Sequence, residues 1–417
     1  MNYLLKPKPN NLTRFMLFYF NQYSSLLLPS FVQGVLFSAL LFYRGFRDSR
    51  LSDKLLALLL FVYTLRITNW MLGFANWYDI HDWHTTVMFY TPFNHWLAVG
   101  PLIYFYFLSL TNRDFTFERK HWLHFLPEGL WLLRFLIIFL VDVVWQHWVS
   151  GNPFPEFDGT QGKLADSGLG FFDGLWPYLE YISVFIYFFL TLRLFQKYKR
   201  YILENFSDTE NINFLWLRNI LIANIIGHLV WIGFDIADFV AGKPLSYVQD
   251  WYSFFFLGVV IYYLSIEGYY SGAWERQQAV LSFRPESPPA IQQPLSADED
   301  RDLATWKTNL LAIMEKDKPH LNAELSLNDL ADKMKISPAH LSKVVNSGLD
   351  KNFNDFVNGY RVEAVKNKMS DPSTAHLTLL GIAYECGFNS KATFNRAFKK
   401  HAGVSPSAFL KASGGKQ

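Results

Sequence analysis

The sequence predicts an all-α chain: a seven-helix transmembrane bundle followed by a cytoplasmic domain built of two helix-turn-helix units. Three observations carry this prediction. Most of the Phe, Trp and Tyr lie before residue 275, in apolar runs close to the length of a membrane-crossing helix. Positive charge gathers instead in the last third of the chain. A stretch rich in Pro, Gln and Ser separates the two regions.

Composition narrows the class. Of 417 residues, 51% are hydrophobic and only 18% charged, which excludes a disordered or fibrous protein and disfavours one ordinary soluble globule. Cys386 stands alone, so an intrachain disulfide framework and a four-cysteine metal site are excluded. Residues 301–417 hold 17 Lys+Arg against 11 Asp+Glu, a net of +6, which leaves −4 for residues 1–300. Such fractionation of charge points to a polyanionic partner for the C-terminal part.

Seven runs have the length and apolarity of spans: 25–43, 55–74, 93–111, 126–145, 176–195, 215–240 and 248–267. Their regular spacing is stronger evidence than any one run. Lys and Arg in the connecting loops set the orientation. Arg44, Arg47, Arg50 and Lys54 follow the first span, Arg113, Arg119 and Lys120 the third, and Arg193, Lys197, Lys199 and Arg200 the fifth. Alternate loops have almost none. The expectation is an N-terminus outside and a C-terminal domain in the cytoplasm of a bacterial inner membrane, although Lys6, Lys8 and Arg14 pull the other way. A signal peptide over residues 1–30 is disfavoured because no small-residue cleavage site follows the apolar run. Trp70, Trp77, Trp83, Trp96, Trp145, Trp148, Trp176 and Trp251 fall near predicted outer edges, where an interfacial aromatic belt accounts for them better than ligand contact does.

Polar groups inside spans are costly and face a bundle interior or a wet cavity. Arg66 and Asn69 lie in the second span, Arg134 and Asp142 in the fourth, Glu180 in the fifth, and His228, Asp235 and Asp238 in the sixth. Pairing with one another is the plainer role. Arg66, Asn69, His228, Asp235 and Asp238 are the candidates for contact with a signal or ligand. The outer loop brings Asp79, His81, Asp82 and His84 close in sequence, a weak zinc pattern without a firm third ligand, so no metal and no cofactor is expected. The seventh span lacks lysine, which excludes a retinal Schiff base.

Residues 275–300 resist helix and sheet, with Pro285, Pro288, Pro289 and Pro294 among them, and read as a semi-extended linker. The chain therefore divides into a tail (1–24), a bundle (25–270), a cytoplasmic linker (271–300) and a C-terminal domain (301–417). In that domain Ser326 and Asp329 form a capping-box start, and Leu327, Leu330, Ala331 and Met334 recur at helical spacing. Ser337 caps the next helix with Pro338 in its first turn. That helix stops at Gly348. Two short helices joined by a tight turn make a helix-turn-helix, although a plain three-helix bundle fits the periodicity equally well. LTLLGIAYECGF and SKATFNRAFKKHA repeat the layout, ending near Gly387 and at Gly403. NFNDFVNGYRVEAVKNKMS, with Phe353, Phe356, Val357, Tyr360 and Val362 on its apolar side, joins the two units. A helix of about 17 residues would hold two recognition helices about one DNA turn, ~34 Å, apart.

These residues carry a resemblance. Residues 310–412 are similar to the DNA-binding domain of the AraC/XylS family, most specifically over GIAYECGFNSKATFNRAFKKHAGVSPSAF. More loosely, the apolar part resembles heptahelical halves fused to such domains in some bacterial regulators; the sugar-binding arm of the soluble members is absent. The resemblance implies that Ala339, Ser342 and Lys343 of the first recognition helix, and Lys391, Ala392, Asn395 and Arg396 of the second, read bases of double-stranded DNA. Lys351, Arg361, Lys366, Lys399 and Lys400 are then the expected phosphate contacts. Leu341, Val344, Ile382, Ala383, Cys386, Phe388, Phe394 and Phe398 are expected in the core.

The expectation is a membrane-embedded one-component transcription regulator, homodimeric, responding to an unknown signal through its bundle. No phosphate loop, nucleophile elbow or zincin motif suggests an enzyme. The alternatives are a transporter or a membrane enzyme with a regulatory DNA-binding tail. An enzyme would need Arg66, His228, Asp235 and Asp238 to converge in one cavity.

Overall fold

The computed structural model describes residues 20–79, 81–112, 114–209, 215–242, 247–274, 283, 297–374 and 376–412. Every predicted span is helical: α1 (Gln22–Arg47), α2 (Leu51–Phe74), α4 (Trp96–Thr111), α5 (Leu126–Phe139) with its π-helical continuation Leu140–Val149, α7 (Phe171–Asn205), α8 (Leu215–Ala241) and α9 (Tyr247–Trp274). Two short helices lie between them, α3 (Trp83–Tyr90) and α6 (Lys163–Ser167). By length and composition, Gln22–Arg47, Leu51–Phe74, Asp173–Asn205 and Asp250–Tyr270 suffice to cross a bilayer. The apolar helix Trp96–Thr111 is shorter, since its 16 residues reach only about 24 Å. The preceding residues of its predicted span, at Asn94 and His95, leave the helix.

The chain forms two compact units, residues 1–193 with 215–282 and residues 194–214 with 283–417, so the division falls inside α7. In the first unit, one face of α1 is lined by Ser30, Gly34, Ser38 and Gly45, all buried. Small residues let helix backbones approach closely, which is how apolar helices associate where no hydrophobic force separates them from their surroundings. A Cβ at Gly34 would collide with the Thr64 hydroxyl on α2, and one at Gly258 of α9 with Ser30. Polar atoms fasten the same seam: the Ser38 hydroxyl donates to the Ala57 carbonyl at 2.9 Å. At its end Arg44, largely covered, grips the buried Asp53 through two hydrogen bonds of 2.6 and 2.7 Å. Two paired donors and acceptors make such a buried charge pair tolerable.

The second unit contains α10 (Ala297–Lys316), α11 (Leu327–Met334), α12 (Pro338–Leu349), α13 (Phe353–Met369), α14 (Leu379–Glu385), α15 (Lys391–Ala402) and α16 (Pro406–Ala412). The start signals act as their residues require. Ser326 and Asp329 close a reciprocal capping box on α11. Ser337 accepts from the His340 amide at 3.2 Å to begin α12, and Ser390 from the Thr393 amide at 3.1 Å to begin α15. Gly403 ends α15 at φ +77°. The helix α12 runs one residue past the predicted stop at Gly348, to Leu349, because Asp350 takes the left-handed position instead.

Two cores flank α13. Leu303, Leu310 and Met314 of α10 join Leu330, Leu341, Val344, Phe353 and Phe356 in one. Val362 and Val365 join Ile382, Cys386, Phe388, Phe394 and Phe398 in the other. Every residue expected in the core is buried there, and Cys386 is a free thiol pushed by burial up to about 11. The 17 residues of α13 thus serve both cores from its two ends.

The seam between α1 and α2 gives a direct test. Gly34→Leu should cost about 2 kcal/mol by overpacking. Gly129→Leu on α5, where a Cβ meets nothing within 4 Å, should cost nothing. Thermal unfolding of the detergent-solubilised full chain compares them; equal melting points would show that the α1–α2 contact is loose.

Candidate nucleic-acid interface and bundle cavity

On α15 the pattern of burial separates two faces. Thr393, Phe394, Ala397 and Phe398 are buried, whereas Lys391, Ala392, Asn395, Arg396, Lys399 and Lys400 are exposed. Arg396 lies two positions from each of two core phenylalanines, about 200° around the helix, so it points away from them. Among the described residues Lys391, Arg396 and Lys399 have no ion-pair or hydrogen-bond partner, while Lys400 pairs with Asp355 of α13. The result is a solvated, cationic helix face with a guanidinium and an amide at its centre. Guanidinium and carboxamide groups are the side chains that read guanine and adenine edges bidentately.

On α12, Ala339 is exposed, and Ser342 and Lys343 are half-buried. The Ser342 hydroxyl accepts from Asn346 at 3.1 Å. This face is smaller and less charged than that of α15. Lys351 is exposed, and the half-buried Lys366 pairs with Glu363 at 2.7 Å.

Arg361 is the correction. Expected on a phosphate, it is 1% exposed. Its Nε donates to the His320 carbonyl at 2.8 Å, and its Nη2 to the Asn322 carbonyl at 2.8 Å and to the Ser207 hydroxyl at 2.9 Å. Ser207, also fully buried, donates in turn to the Leu325 carbonyl at 2.6 Å. Asn354, two helical turns away on α13, donates to the Phe206 and Ser207 carbonyls at 3.2 and 2.8 Å, and Asn389 donates to Asp208 at 2.9 Å. The segment 206–208, which follows α7, therefore runs along a polar stripe of α13. The reason was present in the sequence: Arg361 lies four residues from both Val357 and Val365, on the buried side of α13. Burial brings its pKa down to about 10, with Asp208 opposing, so it stays charged at neutral pH. Gly387 (φ +89°) passes so close that a Cβ would strike the His320 carbonyl and lie 3.0 Å from Arg361 Nε.

In the first unit, the candidates divide. Arg66 and His228 line one cavity of about 640 Å³, together with Glu180, Arg134 and a wall of tryptophans. Asn69 is absent from its lining and accepts from the Tyr78 hydroxyl at 2.9 Å. The side chains of Asp235 and Asp238 lie outside the described residues. Arg134 pairs with Asp173, its Nη2 2.7 Å from Oδ2. Asp142 is structural: its carboxylate accepts from the backbone amides of Leu164 and Ala165 at 3.2 and 2.8 Å. His81 turns to Asp158 at 2.6 Å, and His84 to Asp82, which caps α3, at 2.8 Å. The side chain of Asp79 lies outside the described residues, among which no three metal-ligating side chains gather.

Comparison with known proteins bears on the C-terminal part. Residues 330–412 match the family model described as a helix-turn-helix domain, and form such a domain of AraC type. An HTH-type transcriptional regulator of Mycobacterium tuberculosis is 29% identical over 86 residues, 21% of this chain and 32% of that one. An uncharacterised HTH-type transcriptional regulator of Staphylococcus aureus is 33% identical over 90 residues, 22% of this chain and 12% of that one. The Msm operon regulatory protein of Streptococcus mutans is 25% identical over 118 residues, 28% of this chain and 41% of that one. The chain thus spans less than half the length of each of these relatives. A solved structure, titled as a Listeria innocua protein of unknown function, shares 26% identity over 25% of this chain and 94% of its own, with a TM-score of 0.22.

The polar stripe predicts an acid limit to stability. His320 is buried beside Arg361 and Lys318, its Nδ1 without a partner among the described residues. Burial first, then the two cations, push it down to about 4. The unfolded chain binds this proton near pH 6.5 and the folded one only near 4, so the contribution of neutral His320 is complete above pH 6.5 and is lost as pH falls toward 4. A loss of about 3 kcal/mol should be seen across that window. Hydrogen exchange of the amides around residues 320–361, followed from pH 7 to 4.5, measures it, and His320→Gln should flatten the acid limb.

Proposed function

We propose that this chain is a membrane-embedded one-component transcription regulator. In this reading the helices of residues 25–270 lie in the cytoplasmic membrane of a bacterium and respond to a signal, while the C-terminal domain binds double-stranded DNA in the cytoplasm. The exposed cationic face of α15, opposite a buried and mainly apolar one, is the observation that carries it. The AraC-type domain and the regulators that it resembles support the same reading. The alternation of Lys and Arg between loops supports an N-terminus outside and the domain inside. A homodimer fits best, since one domain reads only a short site and two copies lengthen it. The Pro-rich composition of residues 275–300 favours control through pairing of domains over a rigidly transmitted rotation.

Base reading and phosphate contact separate on α15. Arg396→Ala should relax preference at one base pair, a loss of ~1–3 kcal/mol of discrimination. Lys399→Ala should weaken all sequences about equally and lower the salt dependence. Sites found by genome-wide mapping of bound DNA supply the operator, and a panel of its single-base variants measures both with the full chain. Uniform weakening by Arg396→Ala would reduce that residue to phosphate neutralisation.

Topology is tested apart from DNA. Cysteines introduced in place of Lys163, which is exposed, and Pro289, in a chain with Cys386→Ala, should differ in intact cells. A membrane-impermeant maleimide should label position 163 and leave position 289 unlabelled. Labelling at 289 would put the domain away from the chromosome and end the regulator reading.

A further inference from the structure

The charges that line the bundle cavity are of both signs, and they differ in how far the protein itself satisfies them. Arg134 and Asp173 grip each other and need nothing more. Arg66 does not: among the described residues it has no hydrogen-bond partner, and its guanidinium packs 5.5 Å from the ring centres of Trp231 and Phe254. Glu180 accepts one hydrogen bond, from Asn94 at 2.8 Å on Oε1, which leaves Oε2. Glu180 lines the same cavity as Arg66. Two more lining groups, the Trp176 indole N–H and the Ser253 hydroxyl, are buried without a partner among the described residues.

A volume of about 640 Å³ is that of a small-molecule site, and the remaining walls are mainly aromatic. In such surroundings an unmatched charge is expensive. A purely anionic ligand would satisfy Arg66 and be opposed by Glu180. A purely cationic one would do the reverse. A neutral apolar ligand would leave both charges without partners and cut off from water. Only a molecule bearing both an anionic and a cationic group on an apolar body satisfies the two at once.

We propose that the cavity between Arg66 and Glu180 binds an amino-acid-class zwitterion, a single amino acid or dipeptide with a large apolar side chain. The carboxylate lies on Arg66 and the ammonium on Glu180, and the apolar body rests among the tryptophans. This rests on the bundle being the part that receives the signal, and names the class of that signal.

The test uses the full chain in lipid nanodiscs and four probes: L-tryptophan, L-phenylalanyl-L-phenylalanine, indole-3-propionate and tryptamine. The last two keep the indole and carry only the anionic or only the cationic group. Calorimetric titration, with melting temperature alongside, reads affinity in the absence of DNA. At least one zwitterion should bind about tenfold or more tightly than either singly charged probe, the worth of one charge-assisted hydrogen bond. Arg66→Gln should abolish the preference over tryptamine, and Glu180→Gln the preference over indole-3-propionate. If Arg66→Gln does not fold, Glu180→Gln alone carries the reciprocal prediction. Absence of binding by both zwitterions, or equal binding of a singly charged probe, overturns the proposal. Since no DNA is present, these outcomes are independent of the mapping that decides whether the chain regulates transcription.

Discussion

A guanidinium shut away from water must find acceptors for its donors, and Arg361 finds them on two stretches of chain far apart in sequence. The carbonyls of His320 and Asn322 come from the turn before α11, and the hydroxyl of Ser207 from the segment after α7. Everything near it is arranged around this demand. Residue 387 must be glycine because no side chain fits between Arg361 and the His320 carbonyl. His320 is held neutral first by its burial and then by the same charge. Removing one partner of such a network leaves the others desolvated and unsatisfied, so its parts form together or not at all. The orientation of α13 follows, and with it the placement of the two cores at the ends of that helix.

The other unit solves a different problem. Its helices are apolar on nearly every side, so apolarity alone cannot specify which faces meet. Specificity comes from close approach at Gly34 and Gly258 and from a few polar fasteners, Arg44–Asp53 above all. Further polar groups, Arg66, Glu180 and His228 among them, collect along the 640 Å³ cavity. A structure held by small-residue contacts can accommodate such a cavity, because the seams that hold it lie elsewhere.

Much of this was legible in the sequence, for identifiable reasons. Caps at Ser326 and Ser337 are local chemistry, set by residues within four positions of one another, and each acts as read. The same is true of the core of α15, where a 3.6-residue period fixes which side is buried. Arg361 was misread because its charge was weighed above its register: the stripe Val357–Arg361–Val365 is as regular as any apolar one. The docking of residues 206–208 left no local signal at all, since Ser207 and Leu325 are 118 positions apart. The cavity was legible only in part. Single polar groups within apolar runs marked Arg66 and His228, but nothing in the spacing said that Asn69 would turn to Tyr78 instead.

That separation of 118 positions sets an order of events during synthesis. At ~5–20 residues per second, Ser207 leaves the ribosome roughly 6–24 s before Leu325 exists to receive its proton. Through that interval the segment after α7 has no partner for its buried hydroxyl, and the domain that will enclose it is still being translated. The helix-turn-helix units therefore do not close on their own residues alone. They complete a fold whose first strip of chain was laid down more than a hundred residues earlier, and a ribosome that stops short of Arg361 leaves that strip exposed.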